Sequence, residues 1–181
     1  LYRRDIWRDQ DIYLEVWAES DSAAGLIYSV TQHFDVPLMA ARGFSSLTFL
    51  SSAADVIRSQ NRPAKILYVG DYDPSGVYID QDIEAKLLSM APGCEIDVER
   101  IAVTPEQIDT HDLPSTPPKK SDARSASFEG QAVEVEAFEP SDLRDIVMVQ
   151  IAGHLDQDRL AAIQAVEERE RETLASMIST L

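Results

Sequence analysis

From residue 12 to residue 103, short apolar runs alternate with stretches whose apolar residues recur at helical spacing. Residues 12–18 are nearly continuous in apolar character apart from Glu15, the pattern of a strand. Ser20-Asp21 is a good N-cap pair, and Ala23, Leu26, Ile27, Val30 and Phe34 then mark a helix that Val36-Pro37 ends. Leu38–Ala41 reads as a short second strand, closed by Arg42-Gly43. Ser45-Ser46 caps a second helix with the stripe Leu47, Leu50, Ala54 and Ile57, which Asn61-Arg62-Pro63 breaks. Residues 65–70 form a third strand. Pro74 and Ser75 suit the opening of a third helix carrying Ile79, Ile83 and Leu87, stopped by Ala91-Pro92-Gly93. Cys94–Val103 supplies a fourth strand, with Ile96, Val98, Ile101 and Val103 as its apolar set.

Strands and helices in this order, joined by short loops, predict an α/β fold. The expected form is a Rossmann-like three-layer sandwich around a mainly parallel sheet of four strands or slightly more. Residues 1–11 read as the end of an upstream helix with Ile6 and Trp7 as its apolar contacts, and residues 104–181 as a C-terminal extension. In that extension, Pro105–Leu113 suits a short helix and Pro114–Gly130 a Pro/Ser/Lys-rich loop. Val133–Phe138 suits an edge strand, and Ser141 the cap of a helix reaching about His154. Residues 157–181 form a charged amphipathic helix with Leu160, Ile163, Val166, Leu174, Met177 and Leu181 on one side, a surface on which a homodimer could form.

Composition narrows the class. The 181 residues are 44% hydrophobic and 27% charged, and no apolar run approaches the roughly 20 residues that span a bilayer. A membrane protein is not expected. The single cysteine, Cys94, allows neither an internal disulfide nor a cysteine-based zinc site, which makes the cytoplasm the expected compartment. Leu1 is neither an initiator Met nor part of a signal peptide, so the chain reads as a piece of a longer one. The net charge of −16 argues against non-specific adhesion to a phosphate backbone. It leaves room for a nucleic-acid enzyme, because bound metal and local basic patches reverse the field at a site.

The sharpest chemical signal is Val69-Gly70-Asp71-Tyr72-Asp73-Pro74-Ser75-Gly76. The third strand delivers Asp71 and Asp73 to a turn, and the first delivers Glu19 in the same way. Parallel strands present such ends side by side, at the edge where α/β proteins keep their sites. Three carboxylates there make a hard, oxygen-rich site for a divalent cation, Mg²⁺ or Mn²⁺. Asp71 and Asp73 can grip one cation, while the third acid completes the shell or moves a proton. Gly70 and Gly76 would let backbone and phosphate come close. The plainer alternative is that Asp71 and Asp73 form a turn and cap a helix N-terminus. Arg42, on the same predicted edge, could reach a phosphate, and Lys119, Lys120 and Arg124 could lie along a DNA backbone; surface or ion-paired roles are the alternatives. Tyr2 and Tyr13 read as packing residues, and His33, His111 and His154 share no metal-ligand spacing.

With Glu19 after the first strand, Gly43 after the second and Gly70–Gly76 after the third, the chain resembles the Toprim domain of topoisomerases, bacterial primases and several nucleases. Order and spacing are most similar to the Toprim domain of the topoisomerase VI A subunit, and to bacterial and phage proteins with Gly-Asp-His-Asp-Pro-Ser-Gly at this place. The resemblance covers roughly residues 12–103 and, more loosely, the Pro-Pro-Lys-Lys-Ser-Asp-Ala-Arg stretch and the helix after it. It implies Glu19 as general acid/base, Asp71 and Asp73 as the Mg²⁺ pair, and Gly76 as the closing glycine of the acidic motif. It also implies metal-dependent cleavage of nucleic acid, with DNA as the partner. Ser20 departs from the pattern, since relatives of the topoisomerase VI type carry Lys there. A transesterase of that type would need a tyrosine from a preceding winged-helix domain. A non-catalytic Toprim module is a further alternative. A response-regulator receiver fits less well, because it needs one acid after strand three and then Thr/Ser and Lys after later strands.

Overall fold

The computed structural model describes residues 3–40, 46–117 and 132–179. Four strands, β1 (Tyr13–Ala18), β2 (Leu38–Ala40), β3 (Ala64–Val69) and β4 (Ile96–Ala102), form one sheet in the order β2-β1-β3-β4. Every pairing is parallel. The intervening helices are α1 (Asp21–His33), α2 (Leu47–Gln60) and α3 (Ile79–Met90). The expected α/β class and parallel sheet are found.

Side chains alternate across the pleat, so each strand feeds two cores. Leu14, Val16 and Ala18 of β1 and Leu67 and Val69 of β3 join α1 residues Ala23 and Ile27 on one face. Leu143, Val147 and Ile151 of α5 (Pro140–Gly153) complete that layer. Trp17, Ile66, Tyr68, Ile96 and Val98 face the other way, against Leu50, Ala54 and Ile57 of α2 and Ile83 and Leu87 of α3. The result is a helix–sheet–helix sandwich.

Several local expectations are corrected. Residues 6–9 form turns, so the described part of 3–11 contains no helix end; Trp7 is nevertheless buried, its indole N–H donating to the Phe34 carbonyl. Helix α3 opens later than Pro74-Ser75, after a single 3₁₀ turn at Gly76–Tyr78. The expected edge strand at Val133–Phe138 is instead an isolated antiparallel bridge between Val133 and Tyr72, followed by a 3₁₀ turn at Val135–Ala137. Helix α5 begins at Pro140 with Glu139 at the cap position, so Ser141 lies inside its first turn rather than capping it. The short helix α4 is confirmed as Pro105–Thr110, with Thr104 and Gln107 forming a capping box.

The last helix, α6 (Gln157–Ser179), packs only at its start, through Leu160 and Ile163. Arg4 ties it to the N-terminal segment by pairing with Glu170. Further on, Leu174, Met177 and Ile178 are exposed. Among the described residues no helix is long and apolar enough to cross a membrane.

Candidate functional site

The sheet order fixes where a site can form. From β1 the chain runs to α1 on one face, and from β3 it runs to α3 on the other, although β1 and β3 are neighbours. The connections therefore diverge at the carboxyl ends of these two strands, which is the switch point where open α/β sheets bind ligands. Glu19 follows β1 and Asp71 follows β3, so both acids stand at that divergence.

They are locked together. The Glu19 N–H donates to the Val69 carbonyl at 2.9 Å, extending the β1–β3 pairing past the last strand residues. The Glu19 Oε2 then accepts from the Asp71 N–H at 2.8 Å and from the Tyr68 hydroxyl at 3.1 Å. Burial, and after it the charge of Glu19, holds the Tyr68 phenol far above its ordinary range, so it stays protonated and donates. A Cβ at Gly70 would collide with the Tyr68 hydroxyl and would stand 2.6 Å from the Glu19 Oε2. The glycine thus makes room for the protein's own carboxylate, where the sequence suggested room for a phosphate. Gly76 does the same for the Asp71 carbonyl.

Asp71 and Asp73 differ in their surroundings. The Oδ1 of Asp71 accepts from the Val135 N–H at 2.9 Å, across the bridge that joins Tyr72 to Val133. Burial, and then the charges of Glu19, Glu136 and Asp73, push the Asp71 carboxyl up to about 6, against the opposing hydrogen bond from Val135. The Oδ1 of Asp73 turns back to accept from the Ser75 and Gly76 N–H groups, at 2.9 and 2.5 Å. This is the capping role anticipated as the plainer alternative, and it occupies one oxygen only. Neither the second oxygen of Asp71 nor that of Glu19 takes a hydrogen bond from the described residues.

The donor chemistry suits a hard divalent cation, because three carboxylates share one edge. As they stand, however, no three His, Cys, Asp or Glu side chains among the described residues close on one point. The first oxygens of Glu19 and Asp71 are spent on backbone donors. Residues able to hold a cation are Asp71 and Asp73, with Glu19 beside them.

Three residues at this edge escaped the sequence reading. Tyr68 carries Glu19. Glu136 reaches the edge from the 3₁₀ turn, where it accepts from the Ser20 hydroxyl at 3.4 Å and adds its charge to Asp71. Ser20 also caps α1 by accepting from the Ala23 N–H. The third is Arg100 of β4, which lies beneath the acidic loop. Its Nη1 donates to the carbonyls of Gly70 and Asp71 at 3.0 and 3.1 Å, and its Nη2 to the carbonyl of Gly76 at 2.6 Å. One clue to Arg100 is present in the sequence. The apolar set of β4 steps by three between Val98 and Ile101, and the pairing correspondingly slips by one residue between Tyr68 and Val69. The extra residue is Ile101, and Arg100 is the last position before it, still opposite Tyr68.

Arg42, Gly43, Lys119, Lys120 and Arg124 lie outside the described residues. Tyr13 packs as expected, its hydroxyl donating to Glu15. Comparison with protein-family models, with curated proteins and with solved structures finds no match.

Proposed function

We propose that this chain is a Toprim-type domain that cleaves phosphodiester bonds of nucleic acid, with DNA as the favoured substrate, in a divalent-cation-dependent reaction. The observation that carries this reading is the meeting of Glu19 and Asp71 at the β1–β3 switch point, with Asp73 one residue further on. The residues that would hold Mg²⁺ or Mn²⁺ are Asp71 and Asp73. When bound, such a cation offsets negative charge on a phosphoryl group undergoing displacement.

The chain's own groups support the remaining work. The Oε2 of Glu19 is fixed by Tyr68 and by the Asp71 backbone, which leaves Oε1 to take or give a proton at a scissile phosphate. Asp73 keeps the turn closed through Ser75 and Gly76 while its other oxygen is available for ligation. A net charge of −16 leaves little general attraction for nucleic acid, so a local basic surface has to engage the backbone. Arg42 and the Lys119, Lys120 and Arg124 group are the candidates for it.

Nicking of supercoiled plasmid in Mn²⁺ or Mg²⁺ tests the reading, run beside Glu19→Gln and Asp71→Asn. Metal-dependent nicking that both substitutions abolish supports it. Nicking that survives both overturns the residue assignments, and no nicking by any form favours a non-catalytic module.

A further inference from the structure

We propose that Arg100 is a positioning residue for the acidic edge: its guanidinium staples the 70–76 turn at both ends and, through the Tyr68 ring, steadies the carboxylate of Glu19. The inference rests on reading this edge as the functional site, and it assigns a role to a residue on a different strand from any of the three acids.

The geometry is specific to a guanidinium. Of the four carbonyls it reaches, Gly70 and Asp71 begin the turn and Gly76 ends it; the fourth, Val103 at 3.5 Å, lies just past its own strand. One planar fork thus fixes the two ends relative to each other. Between them the chain has to carry Asp71 and Asp73 outward. The same guanidinium lies 4.9 Å from the centre of the Tyr68 ring, its register partner across β3 and β4. Tyr68 in turn donates to Glu19. A lysine at this place would bring a point charge without the fork or the stacking plane.

Arg100 is not placed to meet a substrate. Its side chain is only 10% exposed, and its Nη donors are directed at main-chain oxygens. Nor is the arrangement one that stability alone would select. The Arg100 Nε and the Oδ1 of Asp80, which lies 4.0 Å from Nη2, are both buried without a hydrogen-bond partner among the described residues. Such orphans carry a desolvation cost, and they persist in folded proteins where a geometry is required for another reason. An acidic turn held by a buried cation below, with its carboxylates facing out above, is such a geometry.

Amide hydrogen exchange by NMR on Arg100→Lys and Arg100→Met, without metal or nucleic acid, tests the proposal. The reporters are the amides of Asp71, Ser75 and Gly76, compared with Val16 in β1 and Ile57 in α2. The expected result in both variants is exchange at the three turn amides about tenfold or more faster, relative to the change at Val16 and Ile57. Equal acceleration at all five amides, or failure of both variants to fold, makes Arg100 a general support of the fold and overturns the proposal. Wild-type protection of the turn in either variant overturns it too, since Lys would then show that a point charge suffices. Local acceleration in the variants, together with a wild-type protein that nicks no DNA in Mn²⁺ or Mg²⁺, contradicts the proposed function and leaves the positioning role standing.

Discussion

Two glutamates four residues apart, Glu15 within the first strand and Glu19 just past its end, show how differently one side chain can be used. Glu15 is 1% exposed, and both its oxygens are taken, one by the Tyr13 hydroxyl at 2.5 Å and one by the Trp17 indole N–H at 2.6 Å. All three residues point to the same face of the sheet, into the core shared with α2 and α3. Glu19 lies just past the strand end, with one oxygen fixed by Tyr68 and Asp71. The first acid is enclosed and satisfied. The second is held at one end and presented at the other, close to the carboxylates of Asp71, Asp73 and Glu136. The interior glutamate supports the fold, whereas the strand-end glutamate is the one that the proposed function puts to chemical use.

The contrast yields graded predictions. The largest effect belongs to Glu15→Ala, which strands a half-buried hydroxyl and a buried indole N–H; equilibrium denaturation is expected to show a loss of about 3 kcal/mol. Glu19→Gln, by comparison, is expected to cost under about 1 kcal/mol while abolishing metal-dependent nicking, because the retained amide oxygen still accepts from Asp71. Next is Gly70→Ala, whose added methyl meets the Tyr68 hydroxyl and Glu19; a loss of about 2 kcal/mol is expected, together with loss of nicking.

Asp71→Asn reverses the sign. Asp71 titrates near 6 in the fold against an ordinary value of 3.8, so the folded protein binds the proton more tightly than the unfolded chain does. The ionised carboxylate therefore lowers stability, beginning as pH rises above about 4 and fully above about 6. Denaturation is expected to find Asp71→Asn on the order of 1 kcal/mol more stable than wild type at pH 8, after allowance for screening of a half-buried group, with no difference at pH 3.5. The smallest effect is Asp73→Asn. Asn caps a turn about as well as Asp, so stability should move by less than about 0.5 kcal/mol while affinity for Mn²⁺ falls.

Much of the framework was legible because it rests on periodicity. The four strands and the stripes Leu47, Leu50, Ala54, Ile57 and Ile79, Ile83, Leu87 are read from spacing alone; Leu50, Ala54, Ile57, Ile83 and Leu87 are buried and Ile79 partly so, whereas Leu47, the first residue of α2, is exposed. The meeting of Glu19 with Asp71 was legible for a similar reason, since parallel strand order places the ends of β1 and β3 together. What lay hidden depended on contacts distant in sequence. The segment Val133–Ala137 alternates like a strand, but after Val133 pairs with Tyr72 the Val135 N–H turns to serve the Asp71 carboxylate, and no ladder continues. Arg100 continues the face of Ile96 and Val98 opposite Tyr68, where an apolar residue was due, and its carbonyl partners at 70–76 are distant in sequence. Trp7 and Ile6 suggested a helix because buried aromatics often sit on one, yet here the indole is held by a single carbonyl of another segment.

On the proposed function, the switch-point carboxylates, and not the acid inside the strand, bind a divalent cation in the folded state. The most direct test is thermal unfolding at pH 7.5 with and without Mn²⁺, for wild type, Glu19→Gln, Asp71→Asn and Glu15→Gln. A cation bound only by the native state stabilises it, by about 2.7 kcal/mol at a hundredfold excess over Kd. The account predicts a Mn²⁺-dependent rise in Tm for wild type and for Glu15→Gln, whatever the starting Tm of the latter, and little or none for Glu19→Gln and Asp71→Asn. No rise in wild type, or an equal rise in all four proteins, would contradict it.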